Sequence, residues 1–474
     1  MSQPPPRKVL SSTGNGQGES HPDTEDVEPR TGRPRKDPPQ KKVVPEAYYD
    51  DGSMTFWLET PGKQHYARVH ESVIKRDLKI RGFNSGEKNG LPSEIDERVQ
   101  EIILTKLVKY AGPLAGFTTG LYQMMGLPIL VSSNPIILEA THGENGFMYE
   151  YIERLLGDKA IYFHAWVKMG REALLARNLR SGQAMIIVGE PDHGKSLLGK
   201  MCADMLGGRV SDPTQFLIGE TQFNAHLFGT ELLFMDDPEI GDDYATRRRL
   251  SGGIKQIVAG AFPQCHGKGR TPITITPLWR LLIALNDEPE TIQVLPPMDR
   301  GIKDKIIILE TVARAITERT VTSTDYAAYE AKLRAAIPDY LGWLDRWVIP
   351  KEYCADRFSI KVYHSPRILG MLQEFSPETK LMHLILEEIQ SSEERTMTAR
   401  EIEAELKQPG GSGVEHEARN LLRGTGSCGK YLVRMCNAYP KIIRKAGKQL
   451  IKKSGKTGSG VMQYVISAKA VDCP

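Results

Sequence analysis

The sequence predicts an α/β protein built around a phosphate-binding loop. Residues 184–200, AMIIVGEPDHGKSLLGK, run from an apolar stretch through G-x-x-x-x-G-K-S into a helix-forming tail. Two later apolar runs end in polar groups, ELLFMDD at 231–237 and LWRLLIALN at 278–286. A strand, a glycine-rich loop and a helix, followed by strands with polar tips, are typical of a nucleoside triphosphate site.

Each part of the loop has a physical role. Gly189 and Gly194 allow positive φ and bring backbone N–H groups close to phosphates. Lys195 opens a helix whose positive dipole end faces the anion, and its ammonium group reaches the β- and γ-phosphates. The Ser196 hydroxyl is a predicted Mg²⁺ ligand. The predicted ATP-binding set is Gly189, Glu190, Pro191, Asp192, His193, Gly194, Lys195 and Ser196.

The two polar-tipped runs supply the rest of the predicted site. A buried strand that ends in paired acids suits Mg²⁺ and an attacking water. We expect Asp236 to hold the metal, directly or through water, and Asp237 to orient or deprotonate the water. Asn286, at the tip of the next apolar run, is placed to sense the γ-phosphate.

Basic residues mark two further features. Residues 254–277 predict a helix, a basic turn and a strand, and His266, Lys268 and Arg270 in the turn suit a nucleic-acid backbone. Arg300 precedes a later strand, where a cation can reach the nucleotide of a neighbouring subunit. Its planar guanidinium suits phosphate. Lys305 and the arginines at 247–249 are alternatives for that role.

These motifs, in this order, resemble the superfamily 3 helicase core of the AAA+ class. KSLLGKM, LFMDDPE, HGKG, LLIALNDEPE and VLPPMDR are most similar to the phage and prophage primase-helicase type. The resemblance covers residues 184–308 and implies an ATP-hydrolysing hexamer that moves along single-stranded DNA. It assigns His266 and Lys268 to a DNA-gripping hairpin and Arg300 to an arginine finger. The hairpin segment is short for the family, and no primase or nuclease motif precedes the core.

The flanking regions complete the predicted organisation. We expect a disordered basic arm at 1–45, an α+β accessory domain at 46–180, the motor at 181–350 and a linker at 351–376. Residues 377–474 predict a winged helix-turn-helix, with a recognition helix at 431–445 and wing lysines Lys452, Lys453 and Lys456. Within the arm, GRPRK at 32–36 resembles an AT-hook core, and plain electrostatic contact is the alternative.

Composition agrees with a globular DNA-associated protein. The 474 residues are 40% hydrophobic and 26% charged, with a formal net charge of +3. No apolar run approaches the roughly 20 residues that cross a bilayer, and the N-terminus lacks a signal-peptide core, so a cytoplasmic location in a bacterial or phage-infected cell is expected. Cys202, Cys265, Cys354, Cys428, Cys436 and Cys473 lack zinc-type spacing, so we expect reduced thiols.

The sequence thus favours an ATP- and Mg²⁺-dependent DNA helicase in phage, plasmid or mobile-element replication. We expect a homo-oligomer, a hexamer by the resemblance, with a separate primase or polymerase as a partner. Two alternatives remain. An AAA+ initiator or helicase loader would bind DNA without unwinding it, and a regulatory NTPase would carry its DNA-binding module as a switch.

Overall fold

The computed structural model describes residues 42–62, 64–87, 90–144, 146–178, 182–241, 243–316, 322–409, 413–438, 444–445 and 448–468. These residues form two compact units. The first takes in the chain up to residue 287 and again 300–363, and the second takes in 288–299 and the chain from 364 onward. The AT-hook-like segment at 32–36 and Cys473 lie outside the described residues.

The first unit begins with two small sheets and two helices. Its elements are β1 (Ala47–Asp50), β2 (Thr55–Glu59), β3 (Tyr66–Val69), α1 (Glu71–Ile80), α2 (Glu94–Thr105), β4 (Leu107–Val108), β5 (Tyr110–Gly112), β6 (Gly120–Met124) and β7 (Leu127–Val131). One sheet has the order β3-β2-β1-β4 and the other the order β5-β7-β6. The apolar faces of α1 and α2 pack on Phe56 of β2, which explains the helical spacing of their apolar residues.

One helix in this region is shorter than the sequence predicts. The helical pattern at 94–111 gives a helix only as far as Thr105. Beyond it, Val108 pairs with Asp50 of β1, and Tyr110 pairs with Ile129 of β7. The prediction was wrong here because backbone pairing with two distant strands outweighs local helix periodicity.

The centre of the first unit is a parallel sheet with helices around it. Its helices and strands are α3 (Gly146–Leu156), α4 (Ala160–Leu175), β8 (Ala184–Gly189), α5 (Lys195–Met205), β9 (Val210–Ser211), α6 (Thr214–Leu217), β10 (Leu232–Asp236), α7 (Tyr244–Ala259), β11 (Gln264–Cys265), β12 (Ile273–Thr274), β13 (Arg280–Asn286), β14 (Ile306–Glu310), α9 (Ser323–Ala335), α10 (Ile337–Arg346), β15 (Cys354–Ala355) and β16 (Ser359–Ile360). Between β13 and β14 the chain forms α8 (Pro289–Gln293), which belongs to the second unit. Short 3-10 helices cover Gly157–Lys159, Ala225–Gly229, Lys303–Lys305 and Lys351–Tyr353.

The parallel strands stand in the order β14-β8-β13-β10-β9. β13 therefore lies between the strand before the phosphate-binding loop and the acid-tipped strand. Asn286 of β13 pairs with Gly189 of β8, and Ala284 of β13 pairs with Asp236 of β10. Because all strands run the same way, their polar tips meet at one edge. α3, α4, α5, α9 and α10 share a buried apolar core with this sheet.

The second unit contains α8 and a C-terminal helical and β segment. Its further elements are α11 (Pro366–Glu374), α12 (Pro377–Glu388), β17 (Arg395–Thr398), α13 (Ala399–Leu406), α14 (Gly413–Leu421), α15 (Ser427–Ala438), β18 (Arg444–Lys445), β19 (Lys448–Gln449), β20 (Ile451–Lys456) and β21 (Met462–Ile466). Residues from α12, α13, α14 and α15 form one core with β20 and β21. The sequence TARE at 398–401 predicts a capping box, and α13 opens with one at Thr398 and Glu401. The sequence at 448–466 predicts a β-hairpin, which β20 and β21 form.

The helix predicted at 431–445 has different bounds in the structure. The helix starts at Ser427 and ends at Ala438, whereas Arg444 and Lys445 form β18, paired with β19. The predicted bounds were wrong at the C-terminal end because Arg444 and Lys445 pair with a second strand, and this pairing outweighs the local helical pattern. Among the described residues, no helix has the length and apolar character needed to cross a membrane.

Candidate nucleotide-binding site

The phosphate-binding loop joins a fully buried strand to α5. All six residues of β8 are buried. Gly194 caps α5 with a φ of 108°, in the left-handed region that favours glycine. The first N–H groups of a helix have no partner within it, so this end of α5 can receive an anion. The predicted strand, loop and helix start at 184–200 are confirmed.

Two side chains from distant elements fix the shape of this loop. A Cβ on Gly189 would lie 1.7 Å from Thr311 Oγ1, and a Cβ on Gly194 would lie 2.4 Å from Tyr151 Oη. The Tyr151 hydroxyl donates to the Gly194 carbonyl over 2.6 Å. Burial raises the pKa of Tyr151, so this hydroxyl keeps its proton at neutral pH. Close approach therefore requires both glycines, whereas only Gly194 has a positive φ. The predicted positive φ at Gly189 was wrong, because this residue is still the last residue of β8.

The segment after β14 also supports the loop. His193 Nδ1 is 2.7 Å from Thr311 Oγ1, and the Ala315 N–H donates to the His193 carbonyl over 3.0 Å. His193 Nε2 lies 3.4 Å from Glu190 Oε2. Thr311 and Tyr151 are supporting residues that the motif analysis missed, because neither carries a recognisable local pattern.

Lys195 lies at the centre of the site. Its side chain is largely buried, with 7% of the residue exposed. Nζ donates to the carbonyls of Gly189 and Glu190, both over 2.7 Å, and to Asn286 Oδ1 over 3.0 Å. These three acceptors are neutral oxygen atoms, whereas a phosphate would offer the ammonium group charged ones.

Ser196 and Asp236 form the predicted metal pair. Ser196 Oγ donates to Asp236 Oδ1 over 2.7 Å, and both residues are exposed. One hydroxyl and one carboxylate fit Mg²⁺, which takes few protein ligands and completes its shell with waters and substrate phosphates. Within the described part of the chain, no cluster of three or more His, Cys, Asp and Glu side chains is suited to a metal.

Asp237 and Asn286 form a second pair at the same sheet edge. Asn286 Nδ2 donates to Asp237 Oδ2 over 2.7 Å, while its Oδ1 accepts from Lys195. These partners define the amide orientation, because a flipped amide would set NH₂ against an ammonium group. Asp237 adopts a φ of 45°, and its N–H donates to Ala284 of β13 over 2.9 Å. The structure therefore joins Lys195, Asn286 and Asp237 in one hydrogen-bonded chain.

The candidates for the trans cation differ in exposure. Arg300 is exposed in a turn before the 3-10 helix at Lys303–Lys305. Lys305 is 8% exposed and donates to the Gly301 carbonyl over 2.9 Å and to Asp304 over 2.7 Å. Arg247 is 4% exposed on α7, whereas Arg248 and Arg249 are exposed. Lys305 and Arg247 are therefore poorly placed to reach a neighbouring subunit.

The basic turn at 266–272 lies between β11 and β12, which pair antiparallel. Lys268 is exposed at the tip. The His266 ring packs edge-on against Phe223, with centroids 5.0 Å apart. Arg270 turns inward and forms an ion pair with Asp50. The predicted hairpin thus exists, and its three basic residues face different surroundings.

The three wing lysines belong to β20 in the second unit. Lys452, Lys453 and Lys456 are all exposed. Lys453 Nζ donates to Asn437 Oδ1 of α15 over 2.7 Å, and Lys452 Nζ lies 3.9 Å from Glu394 Oε2. A lysine row on an exposed hairpin next to a helix is compatible with phosphate contacts.

Comparison with known proteins gives a family match and a fold match. Residues 187–300 match a family of unknown function, DUF5906. No curated protein matches the sequence. The apo structure of the NrS-1 C-terminal region, residues 305–718, is 10% identical with a TM-score of 0.52, covering 90% of this chain and 96% of that chain. Its A form gives a TM-score of 0.50 at 11% identity, covering 90% and 97%.

A structure described as the SCCmec type IV Cch active helicase aligns at 12% identity with a TM-score of 0.31, covering 83% of this chain and 69% of that chain. That score is too low to indicate a common fold. At these identities, the likeness to the NrS-1 C-terminal region shows a shared mixed α/β fold around a parallel sheet.

Proposed function

We propose that this chain is an ATP-dependent DNA helicase of superfamily 3 type, acting as a hexamer in the cytoplasm of a bacterial or phage-infected cell. Its motor would be an AAA+ core at 181–350, flanked by an accessory domain at 46–180 and a winged helix at 377–474. The observation that carries the proposal is the hydrogen-bonded chain of Lys195, Asn286 and Asp237, next to the pair of Ser196 and Asp236.

Each of these residues would have a separate role in ATP hydrolysis. Lys195 would exchange its loop carbonyls for the β- and γ-phosphates, and the N–H groups at the start of α5 would bind the same anion. Ser196 and Asp236 would hold Mg²⁺, which supplies charge stabilisation for the transferred phosphoryl group. Asp237 would orient the attacking water. Asn286 contacts both Lys195 and Asp237, so it is placed to link phosphate binding to water positioning.

A neighbouring subunit would complete the site. Arg300 is exposed, and its guanidinium can approach the γ-phosphate bound to the next subunit. The hairpin between β11 and β12 would contact single-stranded DNA through His266 and Lys268, and the arm at 1–45 and the wing lysines would add phosphate contacts. A separate primase or polymerase would then use the opened strands.

The proposal is tested by ATPase and strand-displacement assays on the full chain with single-stranded and forked DNA. We expect DNA-stimulated hydrolysis coupled to displacement. ATP hydrolysis that DNA stimulates without strand displacement would favour an initiator or helicase loader. ATP hydrolysis at the same rate with and without DNA would favour a regulatory NTPase.

The hairpin gives one specific prediction. In His266→Ala/Lys268→Ala, strand displacement per ATP hydrolysed should fall roughly tenfold, because loss of one charge-assisted contact of about 1.5 kcal/mol changes an equilibrium by that factor. Lys361→Ala is the matched control, since Lys361 is an exposed lysine of the same unit. Displacement equal to that of the control would contradict a DNA-gripping role.

The wing gives a second prediction. Lys452→Ala/Lys453→Ala/Lys456→Ala should weaken binding to all DNA sequences alike, because phosphate contacts carry no base information. The slope of log affinity against log salt should decrease by up to about 2.7, at about 0.9 per phosphate contact. Fluorescence anisotropy over a salt series measures this, with Lys380→Ala on α12 as control. An unchanged slope would show that the wing does not contact DNA.

A further inference from the structure

The basic hairpin is attached to the N-terminal sheet by an ion pair. Arg270 Nη1 lies 3.4 Å from Asp50 Oδ2. Arg270 follows the tip of the hairpin between β11 and β12, whereas Asp50 is the last residue of β1. The contact therefore joins two parts of the first unit that are 220 residues apart in the sequence (270 − 50).

The carboxylate of this pair is completely buried, and Asp50 has 0% of its surface exposed. Oδ1 accepts from the Gly52 N–H over 3.1 Å, and Oδ2 accepts from the Ser53 hydroxyl. Neutral donors alone compensate poorly for a charge removed from water, so a buried carboxylate requires a cation. Arg270 supplies that cation from the hairpin.

Two glycines lie beside the Arg270 side chain and leave room for it. A Cβ on Gly267 would lie 3.1 Å from Arg270 Cδ, and a Cβ on Gly52 would lie 3.7 Å from the same atom. The side chain thus passes closely beside a glycine of the hairpin and a glycine of the β1–β2 turn. The backbone N–H of Arg270 donates to the Gly267 carbonyl over 3.1 Å, and this hydrogen bond closes the turn that contains Lys268.

The base of the hairpin is held independently of this ion pair. Asn224, 3% exposed, accepts from the His266 N–H over 2.8 Å and donates through Nδ2 to the Gln264 carbonyl over 2.9 Å. Cys265 is buried beside them, and burial raises its pKa to about 12, so it is a packing residue rather than a reactive thiol. Because Asn224 holds the base of the hairpin, the ion pair between Arg270 and Asp50 affects the position of the tip.

We propose that Asp50 is a positioning residue for the basic hairpin, so that the N-terminal sheet sets the orientation of the hairpin tip through Arg270. In this arrangement Arg270, half-buried, is held by Asp50, and Lys268 is the exposed cation of the turn. The consequence for DNA rests on the proposed helicase function, whereas the positioning itself is a property of the folded chain.

The positioning is tested by hydrogen exchange of the full chain without DNA or ATP. In Asp50→Asn, the amides at 267–271 should exchange about tenfold faster, because Arg270 loses its anionic partner and faces only a neutral amide. Asp51→Asn is the matched control, since Asp51 is the adjacent acid and pairs with Lys109 over 2.5 Å on the surface. Exchange in α5 serves as an internal reference and should stay unchanged.

Faster exchange confined to the hairpin supports the inference. Exchange equal to that of Asp51→Asn overturns it, and so does an increase that extends through the central sheet, because that would make Asp50 a general stability residue. Since neither ATP nor DNA is present, failure of the helicase proposal would leave this result unaffected.

A double-mutant cycle distinguishes positioning from direct DNA contact. Asp50→Asn should lower strand displacement several-fold while basal ATP hydrolysis without DNA stays unchanged. Arg270→Gln should lower displacement as well, and the double variant should be no worse than the more affected single variant. If the two losses instead multiply, Arg270 contacts DNA by itself and the inference is wrong.

Discussion

Lys195→Ala is expected to lower ATP hydrolysis by about 10²–10³-fold, the usual cost of removing one preorganised group that stabilises transition-state charge. Lys195 Nζ donates to the Gly189 and Glu190 carbonyls and to Asn286, so the ammonium group is already positioned at the loop before ATP binds. Steady-state hydrolysis with single-stranded DNA measures the effect, and thermal unfolding checks that the variant is folded.

Lys200→Ala is the control for this substitution. Lys200 lies further along α5, half-exposed, with Nζ 3.5 Å from Glu330. It faces away from the loop, so its loss should leave hydrolysis close to that of the wild type. A Lys195→Ala variant that hydrolyses ATP as well as Lys200→Ala would contradict the nucleotide site itself, and with it the proposed function.

Arg300→Ala is expected to lower ATP hydrolysis by about 10³–10⁵-fold, the range measured for arginine fingers. The reason is electrostatic, because a guanidinium from the next subunit would neutralise charge on the γ-phosphoryl in the transition state. Nucleotide binding should weaken much less than hydrolysis. Lys303→Ala, an exposed neighbour in the same segment, is the control.

Mixing two inactive variants shows whether Arg300 acts between subunits. In a ring made from equal amounts of Lys195→Ala and Arg300→Ala chains, about one quarter of the interfaces would combine an intact Lys195 with an intact Arg300. Hydrolysis should therefore recover to about that fraction of the wild-type rate. Mixed rings without recovery would exclude Arg300, and the same experiment with Arg248→Ala or Arg249→Ala would test the two exposed alternatives on α7.

Much of the central sheet follows from the sequence because its strands are buried on both faces. The apolar runs at β8, β10, β13 and β14 leave little choice of secondary structure, and each predicted polar tip follows its run directly. The short strands β4 and β5 were missed for the opposite reason. Their residues continue a helical pattern, and only pairing with β1 and β7 makes them strands.

The proposed residue roles depend on pairings that are distant in the chain. Lys195 and Asn286 are separated by 91 positions, and His193 and Thr311 by 118. Motif order predicts that Lys195, Asp237 and Asn286 serve one site, because parallel strands bring their tips together. It does not predict Thr311 or Tyr151, since a hydroxyl that supports a loop by packing leaves no sequence pattern.

The sequence by itself determined the strand, glycine-rich loop and helix start at 184–200, because the glycine conformation at Gly194, the buried strand before it and the helix after it are encoded by adjacent residues. Only the tertiary structure decided how the basic hairpin is used. Three basic residues in a turn look equivalent in the sequence, yet Arg270 pairs with Asp50, a buried carboxylate of the distant strand β1. The physical reason is that the cost of burying a charge depends on what packs around it, and that is set by the fold.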